Sequence, residues 1–178
     1  RLEASGLITK EKDGKYSLTT FGKTMCVEIP SILFLSQHNE YFQDHDFGSI
    51  PLKFVMRAGQ LATGSHIKGI TKTLQKWKSV YSNANEYICE ILSEIPEDLF
   101  DPILKKIKNG VKFEYIVSES AIVPEGRLTR LKKSGFYELI ENGSIERKMQ
   151  KSVQTVVVLN EKEACVFFPK NGEADLTE

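Results

Sequence analysis

Apolar and polar positions change period along this chain, and the changes mark its elements. Leu7-Ile8-Thr9-Lys10 and Lys15-Tyr16-Ser17-Leu18 are two short strand-like runs around Glu11-Lys12-Asp13-Gly14. The Asp-Gly pair favours a tight hairpin turn, because its residues tolerate the positive backbone angles such turns need. Arg1 to Ser5 reads as a helix end, with Gly6 where a left-handed residue stops a helix. From Phe21 the period becomes four, and Phe21, Met25, Ile29 and Leu33 fall on one stripe of a helix that Thr19 or Thr20 can cap. Pro30 is expected to kink or divide that helix. The stripe fits a twin helix in a dimer as well as a core within the chain. Ser49 can cap a further short helix carrying Leu52, Val55 and Met56, ended by Ala58-Gly59.

The rest of the chain predicts an α/β domain. Leu74, Trp77, Val80 and Tyr81 mark an amphipathic helix, and Tyr87 to Leu92 reads as a strand. A helix with Leu99, Phe100, Ile103, Leu104 and Ile107 inside follows, stopped by Asn109-Gly110. Val111, Phe113, Tyr115 and Val117 alternate with Lys112 and Glu114 as a second, half-exposed strand, which makes a right-handed βαβ unit. Later strands are expected at Ile145 to Met149, Val153 to Leu159 and Ala164 to Phe168, the last two as an antiparallel hairpin about Asn160-Glu161-Lys162. Ligands of open α/β sheets lie beyond the carboxyl ends of the parallel strands. That rule nominates Ser93 and Glu94 after the first strand and Ser118 and Glu119 after the second as effector-binding residues. Arg147 is the nearest candidate cation, set by alternation on the face of Ile145 and Met149, where an arginine needs a partner.

Charge and composition narrow the partners. Lys plus Arg and Asp plus Glu both number 24, so a nucleic-acid-binding chain of this composition must carry most of its basic surface elsewhere. Cys26, Cys89 and Cys165 have no CxxC or Cys/His spacing, and they read as reduced, buried residues rather than a disulfide framework or zinc site. No stretch is apolar enough for a membrane span. His45-Asp46 beside Asp44 suggests a cation or proton site, but no further ligand stands at helical spacing, and a turn or cap is the simpler reading. His66-Ile67-Lys68 with Thr73 matches two of three positions of the phospholipase D pattern His-x-Lys-x-x-x-x-Asp, without its Asp and ahead of the first helix of the α/β unit. No nucleophile elbow, phosphate loop or HExxH occurs, so the chain is expected not to be an enzyme and to need no metal or cofactor.

The string LEASGLITKEKDGKYSLTTFGK resembles the wing of winged helix-turn-helix proteins. FQDHDFGSIP, ILKKIKNGVKFEYIVSES and ACVFFPKNGEADLTE are similar, in this order, to segments of archaeal regulators related to the methanogenesis and filamentation regulator of methanogens. The resemblance implies a cytoplasmic, ligand-responsive, DNA-binding transcription regulator, here lacking the upstream part of its winged helix. Residues 1–20 would be the end of the winged helix, 21–58 linker and dimerisation helices, and 59–178 an α/β sensing domain of phospholipase D-like fold with a mixed sheet. Expected partners are double-stranded DNA, a small-molecule effector and a second copy of the chain. A wing sets basic tip residues against phosphates, which nominates Lys10, Lys12 and Lys15. A solvated hairpin without a partner is the bland alternative for those lysines. For the whole chain the alternatives are a ligand-free dimerisation module and a degenerate phosphodiesterase.

Overall fold

The computed structural model of the protein describes residues 1–94, 96–121 and 126–178. The chain forms two compact units, one of residues 1–44 and 50–65, the other of residues 45–49 and 66–178. The hairpin and the linker helices, expected as separate pieces, thus fold together, while residues 45–49 go with the α/β unit.

In the first unit, β1 (Ile8–Lys10) and β2 (Tyr16–Leu18) pair antiparallel, with Ile8 opposite Leu18 and Lys10 opposite Tyr16. Gly14 takes φ +86° in the turn between them, the backbone angle for which the Asp-Gly pair is suited. Helix α1 (Thr20–Gln37) begins at once. Thr19 caps it, its Oγ1 accepting from Gly22 N at 3.0 Å and donating to Gly6 O at 2.6 Å. Such a cap contributes about 1 kcal/mol. The hairpin backbone comes so close here that a Cβ on Gly22 would lie 2.0 Å from the Leu7 carbonyl oxygen.

Helix α1 runs unbroken through Pro30, so the expected division does not occur. Docking offsets the lost hydrogen bond. Ser31 Oγ donates to Met56 O at 2.7 Å and accepts from Gly59 N at 3.1 Å. A Cβ on Gly59 would stand 2.5 Å from the Pro30 carbonyl carbon, so only glycine allows this approach. Helix α2 (Leu52–Val55) starts from Pro51 and not from a Ser49 cap, because the fixed φ and missing N–H of proline already suit a first turn. The face that α1 buries carries Gly22, Ser31 and Phe34, whereas Phe21, Ile29 and Leu33 of the expected stripe are exposed.

The second unit opens with α3 (Ile70–Asn83), β3 (Tyr87–Leu92), α4 (Phe100–Lys108), β4 (Lys112–Ser118), α5 (Arg127–Lys133) and α6 (Phe136–Glu141). It continues with β5 (Ile145–Gln150), β6 (Val156–Asn160) and β7 (Ala164–Phe167), then the small hairpin β8 (Pro169–Lys170) and β9 (Glu173–Ala174). Among the described residues the main sheet has five strands in the order β5-β4-β3-β6-β7. Strands β3, β4 and β5 run parallel, while β6 and β7 pair antiparallel, which makes the mixed sheet of an α/β fold. Asn160 makes the β6–β7 turn. Its Nδ2 donates to Val80 O at 2.6 Å, and its Oδ1 accepts from Lys162 N at 2.7 Å.

The core lies on one face of this sheet. Ile88, Leu92, Phe113, Val156 and Val158 from the strands meet Trp77, Val80, Leu99, Ile103 and Ile107 from the helices. Each such side chain, fully buried, stabilises the fold by roughly 1.5–3 kcal/mol. Cysteine burial departs from expectation: Cys26 is exposed, and Cys89 and Cys165 are half-buried. Cys26 lies on an outward turn of α1, Cys89 faces away from the core between buried Ile88 and Glu90, and Cys165 lies on the edge strand β7. No helix among the described residues is long and apolar enough to cross a membrane.

Candidate functional site

The hairpin presents Lys10, Lys12 and Lys15, all exposed, around a turn that also carries Glu11 and Asp13. Lys15 Nζ lies 3.1 Å from Asp13 Oδ2, a pair so exposed that solvent screens most of its energy. Hydrogen bonds from the Lys15 backbone and side chain hold the Asp13 carboxyl below its ordinary pKa. Lys10 Nζ stands 6.0 Å from the Tyr16 ring centroid across the ladder. The hairpin therefore presents three cations and two anions, a modest positive surface.

At the carboxyl edge of the parallel strands, Leu92 pairs with Val117, so β3 and β4 end side by side. This brings together Ser93 and Glu94 with Ser118 and Glu119. Glu94 and Glu119 are exposed, Ser93 is half-buried and Ser118 is buried. The Ser118 hydroxyl is engaged within its own loop, 2.7 Å from Ser120 Oγ, while Glu119 N donates to Gln150 O at 2.8 Å and continues the sheet. Arg147 does not join them. It lies opposite Tyr115, short of the strand end where Ser118 pairs with Gln150. Alternation does set it on the face of Ile145 and Met149, and its partner is Tyr115. Burial raises the Tyr115 hydroxyl pKa, and the charge and hydrogen bond of Arg147 oppose that rise.

Two features are additional to those the sequence patterns nominate. The sheet face away from the core holds a shallow depression of about 230 Å³, lined by Cys89, Ile91, Glu114, Ile116, Lys148 and Leu159 among others. The signal for it is the apolar character of Cys89, Ile91, Val157 and Leu159 at positions that alternate with core residues, since strands buried on both faces read as continuous apolar runs. The second feature is Glu90, buried on the core face. Its Oε1 accepts from Trp77 Nε1 at 3.0 Å and from the Tyr81 hydroxyl, while Oε2 has no hydrogen-bond partner among the described residues. Desolvation, against those two hydrogen bonds, pushes its pKa up to about 7.

His66 and Lys68 lie in a loop ahead of α3, and both approach Glu178, at 3.5 and 3.0 Å from its Oε2. Thr73 is buried within α3. Asp46 forms part of a turn in which its Oδ1 accepts from Gly48 N at 2.6 Å.

No family model matches the chain, and no curated protein does. Among solved structures the chain is similar to TrmBL2, described as an archaeal chromatin protein whose structure shows a novel mode of DNA binding. The identity is 19% and the TM-score 0.43, over 94% of this chain and 63% of that one. The chain therefore spans less than two thirds of the length of that neighbour.

Proposed function

We propose that this chain is part of a DNA-binding transcription regulator in which the Leu7–Leu18 hairpin is a wing and the α/β unit senses a small effector without catalysing a reaction. The observation that carries this reading is the hairpin itself. Two antiparallel strands follow a turn at Gly6, three exposed lysines surround the loop, and Thr19 locks the ladder to the start of α1. Lysines so placed meet the phosphates of a duplex and position it without reading bases.

The effector reading rests on the shared edge of β3 and β4, where Ser93, Glu94 and Glu119 gather. Arg147 is too far back along β5 to be a first choice there. A second copy of the chain is the partner suited to the exposed α1 stripe, since apolar surface of this kind marks an interaction site. A homodimer also gives two wings, as a two-fold operator requires.

Fluorescence anisotropy with a labelled duplex of arbitrary sequence tests the DNA reading. Binding in the micromolar range or weaker is expected at moderate salt. The triple variant Lys10→Ala, Lys12→Ala, Lys15→Ala should bind less tightly on every duplex. Equal affinity of the two proteins would make the hairpin an ordinary surface loop.

A further inference from the structure

Three segments far apart in sequence meet inside the α/β unit. His45 forms an isolated antiparallel bridge with Lys170, and Asp46 N donates to Pro169 O at 3.0 Å, so this strand of backbone lies along the β8–β9 hairpin. Asn171 at φ 55° and Gly172 at φ 83° make the tight turn of that hairpin, and Asp175 follows it directly. Gly69 N donates to Thr177 O at 2.6 Å, which ties the loop carrying His66 and Lys68 to the same tail. As a result His45 Nε2 lies 3.3 Å from Asp175 Oδ2, and His66 Nε2 lies 3.5 Å from Glu178 Oε2. Ligand atoms of His45, Asp175 and Glu178 all fall within 4.8 Å of one another.

We propose that His45, Asp175 and Glu178 bind a divalent transition-metal ion of the zinc class, with His66, now 3.5 Å from Glu178 Oε2, turning in as the fourth donor when the ion binds. The distances favour it. The imidazole nitrogens of His45 and His66 stand 3.3 and 3.5 Å from carboxylate oxygens, long contacts with room for an ion to replace them. They match the edge of a tetrahedron, which is roughly 3.3–3.4 Å when ligand bonds are about 2.0–2.1 Å. Two imidazoles and two carboxylates suit Zn²⁺ and its neighbours better than Mg²⁺ or Ca²⁺, whose sites are built from oxygen.

The surroundings orient the donors. Thr177 N and Oγ1 donate to Asp175 Oδ1 at 2.8 and 2.6 Å, leaving Oδ2 to face His45. The side chain of His45 is 0% exposed and that of Asp175 13%, whereas Glu178 and His66 at 23% and 29% leave an entry from solvent. Lys68 is the competitor: its Nζ holds the oxygen of Glu178 that faces His66, from a side chain 71% exposed that can turn away.

The site does not rest on DNA binding, and metal and duplex titrations fail independently. The test is calorimetry of the chelator-treated full chain with Zn²⁺, and visible absorption with Co²⁺, whose tetrahedral complexes absorb intensely. One saturable equivalent is expected, together with a rise in melting temperature because the ion clips three segments together. His45 is buried, and replacing it can unfold the unit, so the deciding variants are the more exposed His66→Ala and Asp175→Asn. Each should weaken Zn²⁺ binding at least about tenfold, and Lys68→Ala should tighten it. Absence of saturable Zn²⁺ binding, or equal affinity in both deciding variants, would overturn the proposal.

Discussion

In the α/β unit Trp77, Tyr81, Ile88 and Leu92 are each at most 1% exposed, whereas in the hairpin-helix unit Phe21, Val27, Ile32 and Leu33 are 52–70% exposed. Both stretches have ordinary apolar content, so the difference lies in where it goes. The α/β unit closes a core around one sheet face and is stabilised by its own packing. The hairpin-helix unit is held by close backbone approaches, Gly22 against Leu7 and Gly59 against Pro30, by the Thr19 cap and by the Ser31 hydroxyl bridging Met56 O and Gly59 N. A unit assembled that way leaves most of its apolar side chains available to a partner.

The largest effect expected to separate the two regions comes from Gly22→Ala. A Cβ 2.0 Å from a backbone oxygen cannot be relieved by a rotamer change, so the hairpin must leave the helix, at a cost of several kcal/mol. Hydrogen exchange should show the amides of residues 7–18 losing protection. Fluorescence of Trp77, the one tryptophan of the chain and buried in the other unit, should stay as it is. Retained protection at Thr19 and Leu18 would refute the close approach.

Glu90 gives the next effect, confined to the α/β unit. Its folded pKa of about 7 lies above the ordinary 4.5, so the fold prefers the neutral acid. The stability this preference represents is complete below pH 4.5 and is lost as pH rises through about 7. The loss amounts to about 3 kcal/mol at 1.36 kcal/mol per pKa unit. Urea unfolding followed by Trp77 fluorescence should show that decline in the unmodified protein and a nearly flat profile in Glu90→Gln. Parallel profiles would mean that Glu90 is not the titrating group.

A smaller effect on stability, but a change of state, is expected at the α1 stripe. Ile29→Glu combined with Leu33→Glu should turn a sedimenting dimer into a monomer and leave the melting of the α/β unit within about 0.5 kcal/mol, as surface substitutions do. A monomeric unmodified chain would remove the self-association reading.

Local patterns made much of this architecture legible. Alternation at Val111 to Val117 and the helical spacing from Leu99 to Ile107 located β4 and α4, and Asp13-Gly14 located the wing-like turn. Positions failed where a distant contact decides. Pro30 was expected to kink or divide α1; Ser31 bonds to Met56 and Gly59 and the helix is not divided. Topology gives the shared end of β3 and β4, whereas alternation gives the face of Arg147 and not its height along β5. The meeting of His45 with Asp175 spans 130 positions, and nothing within a helical or strand window signals it. The Asn171-Gly172 turn was the one local hint, since it returns the chain beside the backbone of His45.

The claim that the hairpin grips a phosphate backbone is tested most directly by the salt dependence of duplex binding. Each lysine that displaces a counterion contributes about 0.9 to the slope of log K against log salt. The account predicts that replacing Lys10, Lys12 and Lys15 by alanine makes that slope shallower by roughly two to three. An unchanged slope, with both proteins losing affinity in parallel as salt rises, would contradict it.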